Sequence, residues 1–88
     1  MSKQLDTIFD AVREELNWAS ENNAPFNSAH EGYAVLLEEV EELWNAVKLN
    51  WAKHPERNEE MTEEAIQVAA MAIRFLHDVC DLGGSDHE

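Results

Sequence analysis

Leu5, Ile8, Phe9, Val12, Leu16 and Ala19 recur at spacings of three and four residues, an apolar stripe that predicts a helix over about residues 3–21. Asn22-Asn23-Ala24-Pro25 then interrupts the pattern with turn-forming residues. Ser28-Ala29-His30-Glu31 has the form of a capping box, with Ser28 at the N-cap and Glu31 reaching back, and opens a second helix over about 29–53. His54-Pro55 ends that helix, because the residue before proline disfavours helical geometry. Asn58 or Thr62 is expected to cap a third helix over about 59–82. Gly83-Gly84 supplies its stop within a short tail over 83–88. No segment alternates with the two-residue period of a strand, and no internal repeat is present. The prediction is a single all-α domain, residues 1–88, built as a hairpin-like bundle of three helices.

Tyr33, Leu36, Leu37, Val40, Leu43, Trp44, Val47 and Trp51 share one side of the second helix, so Trp44 and Trp51 are expected in the core. The third helix is different. Over AIQVAAMAIRFLHDVCDL apolar side chains point nearly all the way round, the pattern of a helix covered on several sides. Two partner helices from the same chain cover such a helix incompletely. The expectation is therefore a homodimer or homotetramer whose subunits complete a four-helix-type core.

Charge narrows the function. Nineteen acidic residues against six basic ones give a formal net charge of −13. Lys3, Arg13, Lys48, Lys53, Arg57 and Arg74 are scattered, so direct nucleic-acid binding is not expected. The first residues, MSKQLDTIFD, contain no apolar segment of signal-peptide length, and no run approaches a membrane span of about 18 residues. With a lone cysteine, Cys80, the expectation is a cytoplasmic protein without membrane contact. Cys80 sits in an apolar stripe with no histidine at partner spacing, and His30, His54 and His77 lack ligand spacing, so neither thiol catalysis nor zinc is indicated. No glycine-rich phosphate loop occurs.

The informative charges are in LLEEVEELWNAVK, where Glu38, Glu39, Glu41 and Glu42 crowd one helix and repel each other. On a helical wheel Glu39 falls at the edge of the apolar stripe and Glu42 nearly opposite it, in a sector shared with Val35, Ala46 and Leu49. Glu64, on the third helix, shares a sector with Val68, Met71 and Phe75. If these sectors face one another, carboxylates meet at a partly covered interface, where they must be protonated, paired or neutralised by metal. Oxygen ligands on rigid helices suit Mg²⁺, with Mn²⁺ an alternative.

Glu38-Glu39-x-x-Glu42 followed by Glu64-x-x-Gln67 resembles the MazG-like branch of the all-α NTP pyrophosphatases. That family carries E-E-x-x-E and then E-x-x-D, and the resemblance covers most of the chain. The second motif departs, with Gln67 in place of aspartate. The resemblance implies a Mg²⁺-dependent hydrolase that cleaves a nucleoside triphosphate to the monophosphate and pyrophosphate. Glu38, Glu39, Glu42, Glu64 and Gln67 would form the metal site, and an activated water would attack the α-phosphorus in line. One of the glutamates, Glu38 or Glu39, would act as catalytic base. Lys53, placed by the wheel beside Glu42, and Arg74, flanking Gln67, are candidates for phosphate contact, and Trp18 for stacking on the base.

Two other readings stand beside this one. Gln67 removes a negative charge, which fits a catalytically weakened or inactive relative that still binds nucleotide or metal. The acidity also fits a protein-interaction module with its carboxylates spread over the surface.

Overall fold

The computed structural model describes residues 2–82. These form three helices, α1 (Lys3–Asn22), α2 (Ala29–Val47) and α3 (Arg57–Asp78), and no strand. Ser2 caps α1 by accepting from the Leu5 N–H, and the Asn22 and Asn23 side chains close its end on the Trp18 and Ala19 carbonyls. Ser28 caps α2, accepting from the Glu31 N–H at 3.0 Å. Glu31 reaches back as expected, but to the N–H of Asn27 rather than that of the cap residue.

Two helix ends fall short of their predicted places. The second helix stops at Val47, not near Lys53. Asn50 is the cause, because its side chain accepts from the Ala52 N–H and its carbonyl from the Lys53 and His54 N–H groups, turning the chain before Pro55 is reached. Arg57 then donates from both Nε and Nη2 to the freed Val47 carbonyl, which ties this turn to the start of α3. Neither Asn58 nor Thr62 caps α3, which begins directly after Glu56 without a side-chain cap. At its other end α3 stops at Asp78, four residues before the expected limit. Leu82 donates back to the Leu76 carbonyl while Asp81 takes a left-handed φ of 57°, a conformation most often adopted by glycine. Gly83-Gly84 and the rest of the tail lie outside the described residues.

α3 packs against both other helices, whereas the backbones of α1 and α2 do not approach one another closely. The buried cluster is small: Val12 and Ala19 from α1 with Ala70 and Met71 from α3, flanked by Leu16, Phe26, Val35, Leu36, Ile66 and Ala69. Among the described residues no large side chain is fully buried.

The face that α2 offers α3 is not its richest apolar stripe. Gly32 and Ala46 are buried and Val35, Leu36, Glu39 and Leu43 partly so, whereas Tyr33, Leu37, Val40, Trp44 and Trp51 remain exposed, Trp44 at 56%. The predicted core positions of Trp44 and Trp51 are therefore incorrect for a single chain. Relative to the predicted stripe, the packed side is turned by roughly 100° around the helix. Small residues decide this. An added Cβ at Gly32 would stand 2.7 Å from the Phe75 ring, a closeness that only glycine tolerates.

Candidate metal centre

That rotation aims the carboxylates inward. Glu39 and Glu42, three apart on α2, meet Glu64 of α3 with one carboxylate oxygen from each lying within 4.8 Å of the others. Glu39 and Glu64 are partly buried, and Glu42 closes the trio from the exposed side. One oxygen of Glu39 and one of Glu64 are fully covered and have no hydrogen-bond partner. Among the described residues no lysine, arginine or histidine forms an ion pair with any of the three.

Electrostatics follow from this crowding. Burial, reinforced by the charges of Glu42 and Glu64, raises the Glu39 pKa to about 7. Burial and the Glu42 charge push Glu64 upward as well. Such a trio either holds protons or takes up a cation. Oxygens on opposite sides of a Mg²⁺ ion are about 4.2 Å apart, and somewhat further for larger hard cations, so the observed spacing fits one divalent ion with oxygen ligands. The donor set has no nitrogen or sulfur, which disfavours zinc and copper.

A cleft of about 550 Å³ lies beside the trio. Its floor is α3 (Gln67, Met71, Arg74), its walls are α1 and α2, and the 23–27 linker closes one end. Glu39 belongs to both trio and cleft, and Gln67, partly buried one turn along from Glu64, faces the cleft. Trp18, 59% exposed, stands on the α1 wall. Glu38 is exposed, and its oxygens are not among those that converge.

Two predicted phosphate contacts change meaning. Lys53 lies in the turn after α2, away from the helical sector of Glu42, and does not line the cleft. Arg74 does line it, but is 5% exposed and already engaged. Its guanidinium donates to the Ala24 carbonyl at 2.8 Å, stacks 4.4 Å from the Phe26 ring centre and pairs with Asp78 at 3.7 Å. Asp78 in turn accepts from the Phe26 N–H. This pair fastens the linker to α3, which explains the linker's fixed place at the cleft end.

Sequence reasoning passed over Glu15, Asn23, Phe26 and Asn27, which also line the cleft. Arg74 and Asp78 did carry a signal, an i,i+4 charge pair within an apolar helix. Glu15, three residues before Trp18 at the edge of the α1 stripe, carried none beyond its position. No family profile, no curated protein and no solved structure matches this chain.

Proposed function

We propose that this chain is a divalent-cation-dependent nucleoside triphosphate pyrophosphohydrolase, yielding the monophosphate and pyrophosphate. The observation that carries the reading is the convergence of Glu39, Glu42 and Glu64 from two helices, with two covered and unpartnered oxygens, next to an open cleft. The motif resemblance to MazG-like enzymes supports the same reading. Glu39, Glu42 and Glu64 hold the cation, Mg²⁺ or Mn²⁺, and Gln67 presents a neutral carbonyl from the cleft floor. Bound there, the ion supplies charge neutralisation of phosphate oxygens and a more acidic water. Glu38, outside the trio, is the remaining proton acceptor, and Trp18 offers a face for the base. The active unit is a homo-oligomer, in which the exposed α2 stripe of Tyr33, Leu37, Val40 and Trp44 is covered by a second copy.

Pyrophosphate release from a panel of NTPs and dNTPs with Mg²⁺ tests this reading directly. Release that survives chelation of the metal, or no release from any nucleotide, counts against it. One observation favours a second reading. Gln67 stands where a fourth carboxylate is expected, so the site has one charge fewer than the resemblance calls for. A weakened or silent relative would bind nucleotide with Mg²⁺ and not turn it over. Gln67→Asp separates the two, because a site weakened by that residue gains metal affinity and rate, each by about tenfold.

A further inference from the structure

Outside the carboxylate trio, the cleft has a second chemical feature. Glu15 on α1 is partly buried and lines both the main cleft and its extension along α1 and α3. Its carboxylate has no hydrogen bond or ion pair among the described residues. Trp18 and Gln67 share both spaces with it. The cleft's basic residue, Arg74, is held by Ala24, Phe26 and Asp78. Glu31 also borders the cleft, but one of its oxygens is taken by the Asn27 N–H. This end therefore combines an exposed aromatic face with an uncommitted carboxylate that no cation neutralises.

We infer that Glu15 is a specificity-determining residue, accepting N–H donors from the edge of a nucleobase stacked on Trp18 and so selecting amino-bearing bases over uracil and thymine. The inference rests on the nucleotide reading above and adds the base class to it. An ionised carboxylate only accepts hydrogen bonds. Guanine presents an imino N–H beside an amino group, two adjacent donors that match the two carboxylate oxygens. Cytosine and adenine each present one exocyclic amino group. Uracil and thymine place carbonyl oxygens on both sides of a single N–H, so a facing carboxylate meets two acceptors and is repelled. Gln67 and the neighbouring asparagines carry donor and acceptor alike and cannot impose this choice.

Glu15→Gln preserves size and helical preference while adding donors, so it isolates the effect. The measurement is calorimetric binding of non-hydrolysable guanosine, cytidine, adenosine, uridine and thymidine triphosphates with Mg²⁺ to the full chain, before and after substitution. The wild type is expected to bind the amino-bearing analogues about tenfold more tightly than the other two. Glu15→Gln is expected to reduce that ratio to about threefold or less, with an unchanged melting temperature. Glu15→Leu should lose the preference as well, while retaining stacking. If nucleotides bind but their ranking is the same in all three proteins, Glu15 does not read the base and the pyrophosphohydrolase reading is untouched. If no analogue binds in the presence of Mg²⁺, both the inference and that reading fall.

Discussion

Glu39 shows how a residue costly to folding becomes useful to a site. Its carboxyl is partly covered and faces two others, so the folded chain without metal holds a proton that the unfolded chain releases near pH 4.5. A raised carboxylate pKa stabilises the folded state at low pH, and this contribution is lost as pH rises from about 4.5 through about 7. Glu64 acts in the same direction. Asp78 has the opposite sign. Burial pushes its pKa up, but the His77 and Phe26 hydrogen bonds and the Arg74 charge outweigh this and hold it below 3.8, so its contribution disappears on acidification. The metal-free protein should therefore melt at falling temperatures as pH rises from 5 to about 7.5, and saturating Mg²⁺ should remove that slope. Glu39→Gln should raise the metal-free melting temperature at pH 8 and weaken Mg²⁺ binding by tenfold or more, read by thermal melts and calorimetry at two pH values.

Elements were more legible than their ends. The three helices follow from apolar spacing and from Ser28-x-x-Glu31, and α1 agrees to a residue. The end of α2 was hidden because Asn50 stops a helix only when its side chain folds back on its own backbone, which spacing does not reveal. The carboxylate trio was legible because Glu39, Glu42 and Glu64 each share a sector with apolar residues. The packed side of α2 was not, because counting large apolar residues ignores how closely two backbones approach. Gly32 tests that point. An alanine in mid-helix normally stabilises by about 1 kcal/mol relative to glycine. Here its methyl would meet Phe75 at 2.7 Å and Phe26 at 3.1 Å. Gly32→Ala should instead destabilise by about 1–3 kcal/mol, read by urea unfolding.

At the scale of the whole molecule the balance of exposed and buried apolar groups points outward. The buried cluster is made of valine, alanine and methionine, while Leu5, Ile8, Phe9, Tyr33, Leu37, Val40 and Trp44 face solvent in one chain. Isolated exposed apolar residues are ordinary, but continuous stripes on two helices are not. No helix among the described residues is long and apolar enough to cross a membrane, so lipid spanning does not account for them. The proposed homo-oligomer predicts a multimer in sedimentation experiments that a Val40→Glu, Trp44→Glu double substitution converts to monomer, because each added charge would be buried unpaired at the proposed shared face. A monomeric wild type would overturn the proposed oligomer, and a multimer that survives the substitutions would overturn this face as its interface. Finally, α1 seats on α3, and its backbone stays apart from that of α2. The proposed chemistry is thus divided between elements: Trp18 and Glu15 stand on α1, and the proposed cation ligands Glu39, Glu42 and Glu64 on α2 and α3. Because α1 also supplies Val12 and Ala19 to the buried cluster, a substitution that loosens its seat would shift the proposed base-reading pair relative to the proposed cation ligands before it separated those ligands from one another.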